Sequence, residues 1–482
     1  MESERRVMAR IHLWSLSEDV LVEDDSTRDR HVVITKWGET RLDGVDEAVL
    51  ESLRRMGLGP VSLDNVLAHT PPERAHSRAA VHRVLDLLSG SVVRSLALAD
   101  GEGPLLSATP VVRDAVLRLP EVGPRRPLRL SRFAAIRADG GELLVESPLA
   151  QYDVVLHKPL AVRVATALAS VATVAGLAAE LRTSAEVVAE IAAYLVGTGV
   201  VLLGGARDAR GRPTFAEDFD PTLIRWSHHE LLFHVRSRMG RYGGPSGAVF
   251  PHAERFPAPN LVKTQRGGAR VPLYRPDVAA LVATDPPLTA ILEQARLCTD
   301  LSDQALRADQ VGELLFRAAR IRSVGPNSVG TRVSYSVSDR PYLSSHGLYE
   351  LELYVSLHNC VGLARGIYHY DPADHVLTMV NDSATELDDV LDGARVAARI
   401  PARPPMLITM TARIARSSWM YGGIGYALTL AHVGALQQTL CLVANAMGLA
   451  ACAPAIDPGD AMDGALRLDS PAEVGVGELI IG

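Results

Sequence analysis

The sequence has little of what marks several common functional classes. Its four cysteines, Cys298, Cys360, Cys441 and Cys452, make no close metal-type pair and no disulfide framework, so a reducing cytoplasm is the expected compartment. A net charge of −7 gives no electrostatic reason to expect a nucleic-acid partner. No glycine pattern of the dinucleotide or P-loop kind opens a helix, since Gly475-Val-Gly477 stands too near the end of the chain. The start, Met1 to Arg6, mixes acidic and basic residues with no apolar core behind it, unlike a secretory signal. The most apolar run, Gly423 to Ala453, is broken by His432, Gln437, Gln438 and Asn445; it reads as a buried helix rather than a membrane span. What remains is a chain of 482 residues, 47% apolar and 22% charged, which suits a soluble globular protein with room for about three domains.

Residues 1–102 read as short strands (His31 to Thr35), helices from Asp46, near Ser62 and from Ala79, and a strand-like tail, Ser91 to Leu98. Residues 103–206 repeat the plan with a strand-like stretch from Leu143 to Leu156, helices Leu160 to Ser170, Val174 to Leu181 and Ala185 to Leu195, then an apolar tail at Val200. Val81, Val84, Leu88, Gly90 and Val93 match Val188, Ile191, Leu195, Gly197 and Val200 at a fixed offset. Two helix-turn-helix units with a β wing are therefore expected. Such units commonly bind DNA, but these helices are acidic (Asp46, Glu47, Glu51; Glu180, Glu186, Glu190) and carry no dense basic stripe. Residues 207–287, rich in Arg, Gly and Pro, read as an extended connector. Within it His229 and His234 suggest a zinc helix, yet a spacing of five turns the second ring roughly 140° away from the first. From Leu288 the pattern changes to amphipathic helices and a few apolar strands, an α+β arrangement. Tyr426 to Met447 is a helix apolar nearly all round, ended by Gly448.

The most informative stretch runs from Arg340 to Pro372. Leu351, Leu353 and Val355 alternate with Glu350, Glu352 and Tyr354, which indicates extended chain after an irregular polar turn. Periodicity alone allows an ordinary loop and hairpin as readily as a ligand site. The residues themselves, Arg340-Pro-Tyr-Leu-Ser-Ser-His346, then Tyr-Glu-Leu-Glu-Leu-Tyr354 and Gly366-Ile-Tyr-His-Tyr-Asp-Pro372, resemble the signature of the SagB-type azoline dehydrogenases. These are flavin enzymes of the nitroreductase superfamily that act on ribosomally made peptides. The resemblance covers roughly residues 220–482. It implies a nitroreductase-like FMN domain at 288–482, preceded by two winged-helix-like, peptide-clamp-like modules. It also implies a homodimer, a precursor peptide as substrate, and a cyclodehydratase as a further partner, with no nucleic acid or membrane. A leader segment is then expected to add to a wing strand such as Leu143 to Val145.

Residue by residue, the resemblance places Arg296 where the superfamily has its flavin-contacting Arg-Arg-Ser-x-Arg motif, of which only that arginine survives. The Arg317, Arg320 and Arg322 cluster is the other candidate for a phosphate, or simply complements a helix C-terminus. Arg340 and Ser344 match the family turn, whose Gly-Gly is here Ser345-His346. Gly434 and Gln438 fit the Glu-x-Gly-His-x-x-Gln helix motif, with His432 in place of its Glu, and Gly448, Leu449 and Ala450 match the segment that closes over the flavin. The family's catalytic Lys-Tyr pair is Met420-Tyr421. A phenol, with a reference pKa near 10, needs a neighbouring cation or an acidic substrate proton to act as base; Arg413 and Arg416 are candidate helpers, and a packing aromatic is the competing reading. The worn motifs leave a non-catalytic peptide-binding or scaffolding protein as the alternative to an azoline dehydrogenase, and a small-molecule flavin reductase as a third reading.

Overall fold

Helix starts follow their capping residues. Asp46, Thr173 and Ser184 each accept a backbone N–H at the head of Glu47–Leu58, Val174–Leu181 and Ala185–Thr198, satisfying amides that helix geometry orphans. The computed structural model describes residues 10–25, 30–68, 75–99, 103–238, 241–242, 244, 247–264, 267–293, 301, 304–327, 333–454 and 459–482. The chain divides into two compact units, Met1–Pro245 and Ser246–Gly482.

In the first unit, both sequence copies present three helices and a strand: Glu47–Leu58, Leu63–Leu67, Ala75–Leu87 and Val92–Leu98, then Pro159–Ala167, Val174–Leu181, Ala185–Thr198 and Val201–Leu203. The matched glycines share a physical reason. A Cβ on Gly90 would stand 2.2 Å from the Arg113 carbonyl oxygen, and one on Gly197 would stand 2.6 Å from that of Arg118. The copies share one antiparallel sheet in the order Arg10–Leu16, Val92–Leu98, Pro104–Pro110, Tyr152–Leu156, Glu142–Glu146, Ala135–Asp139. Leu143 to Val145 therefore has a paired strand on each side, which corrects the expectation that its backbone is open. The outer strands are Arg10–Leu16, which also bridges to Val61 through Trp14, and Ala135–Asp139. Segment 207–287 is divided between the units and, among the described residues, contains the α-helices His228–Arg236 and Val278–Thr284 and the 3-10 helices Ala216–Asp218 and Leu223–Arg225.

The second unit has an α+β fold. Seven antiparallel strands run in the order Arg270–Pro272, Val376–Asn381, Gly366–Asp371, Leu351–Leu357, Met406–Arg413, Glu473–Ile481, Ala451–Cys452. Helices Ala308–Ala319 and Gly425–Ala446 pack one face around Leu353, Val355, Ile408 and Leu479. Helices Ala384–Ala398 and Gly459–Ala465 pack the other around Tyr354, Leu407 and Ile480. Leu351–Leu357 is thus buried along its whole length, although alternation usually marks a strand with one wet face. The expectation of reduced cysteines is corrected at one position: Cys452 is disulfide-bonded, whereas Cys360 and Cys441 are free.

Polar residues of the second face are matched in pairs. Glu352 accepts from Arg413 and bonds the His369 ring, both at 3.0 Å, and Glu473 accepts from Thr411 at 2.6 Å and from Lys263. Glu478, opposite Thr409 in the register, breaks the pattern. Both of its carboxyl oxygens and the Thr409 hydroxyl are buried without a hydrogen-bond partner among the described residues, and burial pushes its pKa up from 4.5 to about 7. The folded chain then holds a proton that the unfolded chain releases, so stability falls as pH rises from about 4.5 to about 7. Glu478→Gln should therefore raise stability by roughly 2–3 kcal/mol near pH 8 and change it little near pH 4.5. Denaturant titrations at the two pH values check this, and an equal effect at both would contradict it.

Candidate functional site

The turn from Arg340 to Tyr349 is held in a costly conformation. His346, Gly347 and Tyr349 have φ of 55°, 65° and 46°, a left-handed region that costs non-glycine residues about 1–3 kcal/mol unless the surroundings impose it. Here they do. The Ser345 N–H donates to His432 Nε2 at 2.9 Å, and the Tyr349 N–H donates to Ser344 Oγ at 3.0 Å. The Tyr349 hydroxyl accepts the Arg340 N–H and donates to the Tyr342 carbonyl, each at 3.1 Å. A Cβ on Gly347 would press the Ser338 carbonyl at 3.2 Å.

His432 lies on the long helix Gly425–Ala446 and fastens that helix to the sheet. A backbone N–H can only donate, so His432 Nε2 accepts and Nδ1 carries the proton toward Glu350 Oε1, 2.7 Å away. Burial works to raise the Glu350 carboxyl, but the His432 hydrogen bond holds it below the usual carboxylate value. On the other side of the turn the Tyr421 hydroxyl meets His346 Nδ1 at 2.7 Å. Tyr421 is presented by helix Ile414–Met420, which the sequence reading missed, and by a short pairing with Gly247–Ala248. Burial pushes its phenol up to about 12, and a hydrogen bond from Ser345 opposes this. Phe250, Tyr335 and Trp419 pack edge to face in the same apolar cluster as Tyr421.

Two arginines have contrasting roles. Arg416, 2% exposed, donates to the carbonyls of Leu348, Pro259 and Asn260, and burial lowers its pKa to about 10. Arg413 is committed to Glu352 and the Asn260 carbonyl. Neither touches Tyr421, which corrects their reading as helpers; the partner is His346. Arg340 is also buried, yet among the described residues its guanidinium makes one hydrogen bond, Nε to Ser338 Oγ. A buried cation with open donors suits an anionic or carbonyl oxygen of a ligand.

The structure thus brings together Arg340, Ser344, Ser345, His346 and Tyr421. Gln438 is exposed further along the long helix, and Gly448 ends that helix with φ 76°. By helix rise, Gly448 lies about 24 Å from His432. Leu449 and Ala450 are buried with their N–H groups given to the carbonyls of Ala444 and Gly482. Arg296 lies outside the described residues. Arg317 pairs with Asp285 and Glu313, and Arg322 with Asp339, so two of the three cations in the rival phosphate cluster already have carboxylate partners. His432 was missed as a working residue, and His346 was expected only as part of the flavin-binding turn. Their signal was the substitution of histidine at two positions where the family has glycine and glutamate.

Residues 294–482 match the Nitroreductase family profile, and residues 128–243 match the profile described as cyanobactin oxidase ThcOx. The chain therefore has one segment that matches the nitroreductase family and a second that matches the cyanobactin oxidase profile. A Methanocaldococcus jannaschii protein named as a nitroreductase is 28% identical over 120 residues, which is 24% of this chain and 60% of that protein. Among solved structures, a Ralstonia eutropha protein described as a nitroreductase is 21% identical over 44% of this chain and 88% of its own, with a TM-score of 0.34. The Escherichia coli microcin synthetase McbBCD complex with truncated pro-MccB17 bound gives 19% identity over 52% of this chain and 90% of the matched one, with a TM-score of 0.33.

Arg416→Ala would strip the Leu348 and Pro259 carbonyls of their side-chain donor, leave the Asn260 carbonyl to Arg413 alone, and open a void. The expected cost is about 3–4 kcal/mol in a denaturant titration. A cost below about 1 kcal/mol would show that solvent replaces the guanidinium freely.

Proposed function

We propose that this protein is an FMN-dependent dehydrogenase that oxidises thiazoline or oxazoline rings of a ribosomally made precursor peptide to thiazoles or oxazoles. The observation that carries the reading is the meeting of the Arg340 to Gly347 turn with Tyr421 inside the nitroreductase-family domain, beside a segment that matches a cyanobactin oxidase. Arg340 and the polar turn Ser344 to Gly347 would hold FMN, which supplies a two-electron acceptor when bound. The buried Arg340 guanidinium offers charge, and the turn offers hydroxyl groups. Phe250, Tyr335 and Trp419 form an apolar wall behind Tyr421.

The long helix Gly425–Ala446 is apolar enough by composition to cross a membrane, but 33% of its most apolar window is buried within the chain, and His432 anchors it to Glu350. Its open face, with Tyr426 45% exposed and Leu430 39% exposed, is read here as the surface that a second copy of the chain covers. The purified protein is expected to be yellow, dimeric by light scattering, and able to remove two hydrogens per azoline ring as read by mass spectrometry. A colourless protein inert toward azoline peptides would favour the scaffolding alternative, and a flavin-loaded monomer would remove the dimer.

Leader recognition is assigned to the first unit. Strand addition needs an open edge, and Ala135–Asp139 is the outer strand of its sheet without a bridge beyond it among the described residues. Adding the leader should slow amide exchange over residues 135–139 and leave Leu143 to Val145 unchanged. Unaltered exchange in the outer strand would place the leader elsewhere.

A further inference from the structure

We propose that the cavity beside Trp419 is a subsite for a finished azole ring that neighbours the ring being oxidised; the inference deepens the azoline-oxidation reading and rests on it. The cavity, of about 460 Å³, lies between helix Ile414–Met420, which contributes Ala415, Ser418 and Trp419, and the segment from His252 to Pro259. None of its lining residues is Asp, Glu, Lys or Arg, so the cavity selects an uncharged guest. Its walls are held before any guest arrives. The Trp419 indole N–H donates to the Phe256 carbonyl at 3.0 Å, Arg416 donates to the Pro259 carbonyl at 2.9 Å, and the Phe250 N–H donates to the Met420 carbonyl at 2.9 Å. Pro257 and Pro259, with φ fixed by their rings, stiffen the segment further. A preformed slot costs little to order, so even a small ring gains from entering it.

The chemistry and place of the slot narrow the guest. Phe256, 52% exposed, and Trp419, 4% exposed, offer aromatic surface, which favours a flat ring through stacked or edge contacts. His252 and Ser418 are the polar side chains of the wall, and an imidazole N–H or a hydroxyl can donate to a ring nitrogen. An azole in a peptide has all three properties: it is uncharged, flat, and carries an accepting ring nitrogen. An azoline is not aromatic, so the slot tells product from substrate. Trp419 stands two residues before Tyr421, which keeps their Cα atoms within about 7 Å. Its indole packs on Phe250 and Tyr335 in the cluster that holds Tyr421. The slot therefore adjoins the reacting turn, where the ring next to the reacting one has to lie. Each finished ring becomes an anchor for the next, and oxidation runs along the peptide from one ring to its neighbour.

The first test needs no flavin and no turnover. The four tryptophans, replaced by 5-fluorotryptophan, give four fluorine signals, and Trp14→Phe, Trp37→Phe and Trp226→Phe identify the three that are not Trp419. Adding 2-methylthiazole should shift the Trp419 signal saturably. Ala415→Leu lays a side chain across the slot one helical turn before Trp419; it should abolish the shift and keep the thermal midpoint, and Phe256→Ala should weaken the shift. A Trp419 signal that ignores 2-methylthiazole, or a shift unchanged in both variants, would overturn the proposal. So would an equal response to tetrahydrothiophene, a ring of similar size that is neither flat nor nitrogenous, or displacement of the thiazole by FMN, which would give the slot to the cofactor. The second test is kinetic, with a synthetic peptide carrying one thiazoline and the same peptide with a finished thiazole beside it. The wild type should show a KM about 5-fold lower for the second peptide, and Ala415→Leu should lose that preference. Equal KM values in an active wild type overturn the subsite alone. A wild type inert toward both peptides overturns the oxidation reading and the subsite's part in it, whereas the fluorine response separately decides whether the slot takes azoles.

Discussion

The hydrogen bond between His432 and Glu350 is the constraint on which the site depends. Glu350 stands at the head of the central strand and His432 in the second turn of the long helix, so one bond sets how helix and sheet meet. The other nitrogen of the same ring takes the Ser345 amide. That contact offsets the strain of a turn with three residues at positive φ. Remove the imidazole, and the helix, strand and turn lose their common reference together. Buried polar groups of this sort specify one arrangement because any other leaves a donor or acceptor unsatisfied.

A second layer supports the first. Arg416 gathers the carbonyls of Pro259, Asn260 and Leu348 and so ties that separate segment to the end of the turn. Arg413 balances Glu352, and Lys263 balances Glu473. The result is a sheet whose second face is buried and polar, with Glu352 and Glu473 paired, and Glu478, Thr409 and Ser356 without side-chain partners among the described residues. Burial of unpaired charge is costly enough that each pairing has to be satisfied locally. Arg340 then stands out by contrast: it lies in the same protected region, and among the described residues its guanidinium makes one hydrogen bond.

Much of this was legible in the sequence. The helix caps at Asp46, Ser62, Thr173 and Ser184 lie where propensity places them, and the repeat pairing Gly90 with Gly197 marks two places where backbone passes too close for any side chain. The alternation in Leu351–Leu357 correctly indicated a strand but not its environment, because period two cannot distinguish solvent from a second layer of helices. The open edge was misplaced for a related reason: Leu143 to Val145 reads as a strand, and only the register shows that Ala135–Asp139 pairs outside it. The pairings of His346 with Tyr421 and of His432 with Glu350 join residues 75 and 82 positions apart, and no local pattern carries such information.

On the proposed reading, affinity and chemistry are divided between the two units. A peptide carrying several azolines presents a different neighbourhood to the reacting group at each ring, so a tight pocket for one would exclude the rest. Binding energy is better placed on a constant segment of the peptide, recognised by an edge strand through backbone groups that do not depend on sequence. Once that segment is bound, each ring reaches the reacting turn at an effective concentration set by the intervening chain rather than by its own affinity. The chemical site can then remain shallow and selective for one property, an acidic ring proton within reach of a base. The Arg340 to Gly347 turn suits such a division, because the Ser345 amide and the Ser344 hydroxyl fix its position from the protein interior.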